Sequence, residues 1–174
     1  MTKHGGKYFT RPELALALLH LLGTRFPRHR FHAVADAAYG GQNVLKYLPG
    51  NCHLTSRLVM DARLYDAPPP RRRGQSGRPR LRGRRLPTPE QLLQPRARRL
   101  MLHIYGRDDR VRVADALARV HAVPWRRLRV VAVQPLTGGR PRQAFYSTDA
   151  SLSAEQILTR YARRWAIEQT FQDS

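Results

Sequence analysis

The feature that most limits the possible folds is the stretch RFHAVADAAYGGQNVLKYLPGNCHLTSRLV, residues 30–59. Phe31 to Ala35 is a short, mostly apolar run, the pattern of a buried strand. Asp36 lies at its end, Gly40 and Gly41 turn the chain, QNVLKYL reads as a short helix, and residues 51–59 read as the next strand. Two strands joined by a helix are expected to be parallel neighbours in one sheet. This places the chain in the α/β class, with a mixed sheet and helices.

Residues 9–22 precede that unit as a helix. Thr10 can be its N-cap, Glu13 the capping-box partner, Phe9 and Leu14 a hydrophobic staple, and Pro12 is tolerated in the first turn. LALALLHLL is apolar on nearly every side, so deep packing is expected, with Gly23 as the stop and His20 a packed, hydrogen-bonded residue. The capping signal makes this run a core helix rather than a signal peptide. No stretch approaches the roughly 20 apolar residues of a membrane span, and a cytoplasmic protein is expected. Cys52 is the single cysteine, which excludes a disulfide framework and a cysteine metal cage.

The pattern breaks at LYDAPPPRRRGQSGRPRLRGRRLPTPE. Residues 71–85 hold eight arginines and no acid, and proline and glycine forbid regular structure through most of it. An exposed, mobile basic loop is expected. Residues 98–106, 111–120 and 128–135 then suggest strands, although 111–120 could equally be a helix. LTGGRPR reads as a hairpin turn and residues 143–149 as another strand. The last element is the best defined. Ser153 is the N-cap, Gln156 its capping-box partner, Leu152 and Ile157 the staple, and the helix runs from about 154 to at least 172.

Charge narrows the function. Lys and Arg total 32 against 12 Asp and Glu, a net +20, and the arginines are clustered. Such an excess implies a polyanionic partner, most simply nucleic acid. On the last helix, Tyr161, Arg164 and Glu168 share one face with Ile157, Trp165 and Phe171. Asp36 and Glu168 are uncomfortable as lone carboxylates near a sheet, because such groups must be paired, protonated or metal-bound. Asp36 could instead cap a turn, and Glu168 could pair with Arg164. Together, beyond the C-terminal strand ends, they favour a shared ligand site. Mg²⁺ suits two carboxylates and phosphate oxygens. Trp125 could stack on a base or form a core edge, Asp61, Asp66, Asp108 and Asp109 read as surface or turn residues, and the histidines show no ligand spacing.

The residues at this point resemble a known family. Tyr161-x2-Arg164-x3-Glu168 is similar to the Tyr-x2-Arg-x3-Glu-x6-Lys signature of one group of bacterial insertion-sequence transposases of the DDE type. VADAAYGG resembles the segment around that family's second catalytic aspartate, and FYSTDASLSAEQILTRYARRWAIEQTFQDS its last strand, turn and glutamate-bearing helix. The resemblance implies an incomplete ribonuclease-H-like fold with a strand-rich basic insertion. Residues 1–59 would be the C-terminal half of the core, 60–142 the partly disordered insertion, and 143–174 the last strand and catalytic helix. It implies that Asp36 and Glu168 are catalytic metal ligands for Mg²⁺ or Mn²⁺. Tyr161 and Arg164 would position DNA phosphates at transposon ends, and Arg71, Arg72, Arg73, Arg78, Arg80, Arg82, Arg84 and Arg85 would contact DNA.

The implied reaction is hydrolytic nicking followed by strand transfer. Two departures bear on it. No Asp or Glu precedes Glu13, where the family's first aspartate is sought, and the signature lysine would fall one residue past Ser174. The expectation is therefore a truncated catalytic domain, inactive alone, poorly soluble without DNA or a partner, and nucleoid-associated. It would work with the intact transposase or as a homodimer, or serve instead as a non-catalytic DNA-binding protein or a regulator of the intact enzyme.

Overall fold

The structure, a computed structural model, describes residues 8–71, 73–94, 97–104 and 106–172, and beyond Arg164 the backbone alone. Helix α1 (Arg11–Arg25) leads into strand β1 (Phe31–Val34), a 3-10 turn (Ala37–Tyr39), helix α2 (Gln42–Tyr47) and strand β2 (Cys52–Leu58). β1 and β2 pair in parallel, Phe31 opposite Cys52 and Val34 opposite Thr55, as the linking helix requires. Strand β3 (Leu64–Tyr65) and helix α3 (Pro89–Leu92) flank the arginine segment. Strands β4 (Arg98–Ile104), β5 (Arg107–Val120), β6 (Val123–Pro135) and β7 (Gln143–Ser147) follow, and helix α4 (Ala154–Gln172) closes the order.

One mixed sheet carries all the described strands, in the order β1-β2-β7-β6-β5-β3 with β4 also on β5. The ambiguous segment 111–120 is strand, because β4 and β6 pair with it on both sides and supply partners for its backbone. β3 and α3 were not expected. They hide inside the proline- and arginine-rich stretch, where Thr88 and Gln91 form a capping box around Pro89.

Side chains alternate across the sheet and build two cores. Leu54, Leu64, Leu128, Val130 and Tyr146 pack on the α2 side. Val111, Val113, Val131 and Phe145 pack under Leu152, just ahead of α4, and under Ile157, Leu158 and Tyr161 of α4. The capping box of α4 is present: Gln156 N donates to Ser153 Oγ at 3.1 Å and Ser153 N to Gln156 Oε1 at 2.9 Å.

Helix α1 departs from expectation. The capping box at Thr10 forms, with the Thr10 amide donating to Glu13 Oε2 at 2.7 Å. Yet Leu14, Leu18 and Leu21 are 55%, 57% and 65% exposed, and Gly23 is the helix's single buried residue. A helix that is apolar all round does not announce which face it will bury, and here one leucine face finds no cover among the described residues. Gly23 does not stop the helix either. A Cβ there would lie 2.7 Å from Asn51 Oδ1, and Asn51 Nδ2 donates to the carbonyls of Gly23, Phe26 and His29, ending the helix two residues later. His20 is hydrogen-bonded as expected, to the Tyr47 carbonyl at 2.8 Å, but it is exposed. Asp109 is not a surface residue: it is 3% exposed and held by Arg140 at 2.5 Å and Arg107 at 3.6 Å. Trp125, 46% exposed on β6, is not a core edge.

Candidate functional site

Asp36 sits two residues beyond the end of β1, and Ala35 between them still donates its amide to the Thr55 carbonyl at 3.0 Å. Its carboxylate is exposed and caps the 3-10 turn, Oδ1 accepting from Ala37 N at 2.7 Å. The turn-capping role and the strand-end position thus coincide in one residue. The backbone beside it is fixed from behind. Ser56 Oγ donates to the Asp36 carbonyl at 3.0 Å, and Tyr146 Oη to the Gly40 carbonyl at 2.8 Å. A Cβ on Gly40 would meet Ser56 Oγ at 2.5 Å and Tyr146 Oη at 2.7 Å. The first glycine of AYGG is therefore a close-approach position. Burial pushes the Tyr146 phenol well above its usual range, so it stays protonated and donates.

Helix α4 brings the second set of groups. Tyr161 is 8% exposed, its ring 4.5 Å from that of Phe145, and the Arg164 guanidinium lies 5.4 Å over the Tyr161 ring centre. The Tyr161 hydroxyl is buried and receives no hydrogen bond of good geometry among the described residues. Burial raises its pKa, Arg164 opposes that, Asp36 adds to it and Arg57 opposes it again. Asp36, Arg57, Tyr161 and Arg164 therefore share one electrostatic neighbourhood at the strand ends. Asp36 and Arg164 also line one groove, of about 490 Å³, with Leu18, Ala33, Val34 and Ala35.

Of the expected site residues, the structure brings together Asp36, Tyr161 and Arg164. The Glu168 side chain lies outside the described residues, as does Arg72. In the basic segment Arg73, Arg78, Arg80, Arg84 and Arg85 are exposed. Arg71 folds back on its own loop, Nη2 donating to the Gln75 carbonyl at 2.6 Å and the Gly77 carbonyl at 3.1 Å. Arg82 is half-buried, lies 5.4 Å over the Tyr65 ring and donates to the His121 carbonyl at 3.1 Å. The end of the segment is hydrogen-bonded to its neighbours. Asp66 N donates to the Arg84 carbonyl, Leu86 N to the Leu64 carbonyl, and Tyr65 bridges Arg85, which holds residues 82–86 against β3.

Sequence reasoning missed Arg57 on β2, whose charge acts on Tyr161; alternation from the apolar positions of β2 could have placed it on the α4 side. It also missed His32. Burial, reinforced by Arg160 and His53, lowers the His32 pKa to about 4, and its Nε2 is 2.8 Å from Thr55 Oγ1.

The transposase DDE domain matches residues 11–174. The chain belongs to the DDE transposases. Comparisons with curated proteins and with solved structures gave no match. The role of a transposase domain is DNA transposition. Transposases of this type generally use divalent metal ions. Asp36 offers the hard oxygen such an ion takes. Among the described residues, however, no three potential ligands come together, and Arg57 and Arg164 occupy the same neighbourhood. The described residues of this transposase domain do not by themselves build a metal centre, and no chemical step is assigned to one. Also among the described residues, no helix is long and apolar enough to cross a membrane.

Proposed function

We propose that this chain carries the second-aspartate and last-helix side of a DDE active site in a ribonuclease-H-like core. It binds transposon-end DNA through the groove at the strand ends and through the arginines of 71–85. In this reading Tyr161 and Arg164 position phosphates, and Asp36 and Glu168 are ligands for Mg²⁺ or Mn²⁺. The metal, when bound, activates water and stabilises the leaving oxygen of a phosphodiester. The supporting observation is the meeting of Asp36 with Tyr161 and Arg164 at the parallel strand ends. This is where open α/β sheets bind their ligands.

The isolated chain binds DNA and does not cut it. Its groove offers one carboxylate among the described residues. The test is a purified protein mixed with supercoiled plasmid and Mg²⁺ or Mn²⁺. Mobility should shift without nicking, and metal-dependent nicking that Asp36→Ala abolishes would overturn this part. The metal reading is tested separately. Mn²⁺ should broaden the amide signals of Val34 to Ala37, and Asp36→Ala should remove that effect. The carboxyls of Asp36 and Glu168 should lie within roughly 8 Å, close enough to share one ion.

A second reading has its own observation. The exposed Arg73, Arg78, Arg80, Arg84 and Arg85 with a net +20 suffice for a non-catalytic DNA-binding protein or a regulator of an intact transposase. It is favoured if the Mn²⁺ effect is absent while DNA binding persists.

A further inference from the structure

Strands β4 to β7 and helix α4 do not close completely on one another. Between them lies a cleft of about 370 Å³, at the lower end of the roughly 300–1,000 Å³ of small-molecule sites. Its walls are Leu102, Val111, Val133 and Phe145 from the sheet and Leu158 from α4, each less than a tenth exposed. Close packing leaves few voids larger than a water molecule in a protein interior, so this space is more than packing slack. Of Asp36, Arg57, Tyr161 and Arg164, only Tyr161 lines it, and no arginine of residues 71–85 does.

One part of the lining is polar. Arg107, at the start of β5, and Arg140, between β6 and β7, both line the cleft. The buried Asp109 holds them together, 2.5 Å from Arg140 Nη2 and 3.6 Å from Arg107 Nε. A carboxylate buried this deeply demands paired cations, and the short contact fixes Arg140 in place. One carboxylate against two guanidiniums leaves a positive excess here. Arg140 Nε is buried with no hydrogen-bond partner among the described residues. A desolvated N–H donor of this kind is destabilising until an acceptor reaches it. Arg107 is mostly exposed and its contact with Asp109 is long, so it is able to turn a further N–H toward an arriving anion.

We propose that this cleft is a binding site for a small amphipathic monocarboxylate, its hydrocarbon part between the sheet and α4 and its carboxylate at Arg140 and Arg107. The apolar walls supply most of the affinity by taking hydrocarbon out of water. The guanidiniums select the head group, because a planar carboxylate accepts from two N–H donors at once, whereas a hydroxyl gains less and an ammonium is repelled. The site does not depend on whether the chain binds DNA or a metal.

The experiment uses the full chain, methyl-labelled at leucine and valine, and three probes of equal chain length: octanoate, octanol and octylamine. Octanoate is expected to move the methyl signals of Val111, Val133 and Leu158 saturably and to bind about tenfold or more tighter than octanol, while octylamine does not bind. Arg107→Gln leaves the Asp109–Arg140 pair in place and should weaken octanoate by about fivefold or more without changing octanol. Ala162→Leu extends a side chain from α4 into the cleft and should abolish binding of both, with a melting temperature no lower than that of the parent protein. If that variant melts lower, the Arg107→Gln comparison decides, since Arg107 is mostly exposed. Absence of saturable shifts at Val111, Val133 and Leu158 overturns the proposal, as do shifts confined to the exposed Leu14, Leu18 and Leu21. So does equal affinity for octanoate and octanol, or undiminished octanoate binding by Arg107→Gln, which would reduce the cleft to an unselective apolar crevice.

Discussion

The guanidinium of Arg164 rests 5.4 Å over the ring centre of Tyr161. That ring is itself wedged 4.5 Å from Phe145 on the sheet. The cation is therefore positioned from the packed core and not by its own flexible stem. A stacked, planar guanidinium is not interchangeable with an ammonium. Arg164→Lys is expected to keep the fold and weaken DNA binding by about 5- to 30-fold, roughly 1–2 kcal/mol. Fluorescence anisotropy with a short duplex checks this, and undiminished affinity would show that Arg164 touches no phosphate.

Tyr161→Phe separates stability from binding. The hydroxyl is buried without a well-formed hydrogen bond, so its removal relieves a desolvated polar group while the ring stays in place. The variant should melt no lower than the parent protein. If the hydroxyl serves a DNA phosphate, the same variant binds DNA more weakly.

The exposed arginines of the 71–85 segment should act through charge. Replacing Arg73, Arg78, Arg80 and Arg84 by Gln should leave the melting temperature within a degree or two, since all four are exposed. The slope of log K against log salt should become shallower by about 0.9 for each DNA phosphate that the variant no longer neutralises. Arg82→Gln behaves differently, because Arg82 holds Tyr65 and the His121 carbonyl, and it should lower stability as well.

The pH profile carries the signature of His32. Its pKa is lowered to about 4 in the folded chain, by burial first and then by Arg160 and His53, with Asp149 opposing. Between that value and the ordinary 6.5 the unfolded chain binds the extra proton, so stability rises with pH across this window and is lost as pH falls through it. Melting temperatures measured from pH 7 to pH 4 should decline, and His32→Gln, which can keep a bond to Thr55, should flatten part of that decline. Carboxylates titrating in the same range set the remainder.

Gly40→Ala is the sharpest test of the turn after Asp36. The added methyl would meet both Ser56 Oγ and Tyr146 Oη at under 3 Å. A destabilisation of about 1–3 kcal/mol is expected, with weaker DNA binding because Asp36 moves with the turn.

What the sequence made legible were the elements whose local chemistry is self-sufficient. The strand, turn and short helix from Phe31 to Tyr47 were readable because glycine and apolar patterning agree there. The start of α4 was readable because Ser153 and Gln156 answer each other within one turn. The failures share a cause, which is dependence on distant partners. Nothing near LALALLHLL says that Leu14 and Leu18 will stay exposed. VRVADALARV alternates and also suits a helix, and the decision falls to β4 and β6 on either side of it. Asp109 looks like a turn residue until Arg140 arrives from beyond the next strand. At the site, Asp36 and Arg164 could be nominated by spacing, whereas Arg57 entered only through the effect of its charge on Tyr161.

The centre of the sheet is closed by residues far apart in the chain. Leu54 N donates to Thr148 Oγ1 across 94 positions, and β2 finds its second neighbour in β7. During synthesis at about 5–20 residues per second, β1 and β2 emerge seconds before β7 exists. For that interval the edge of β2 that β7 will cover stands open, with a leucine-faced helix beside it. Birth on the ribosome, more than the finished fold, is then the moment when this protein most needs a chaperone.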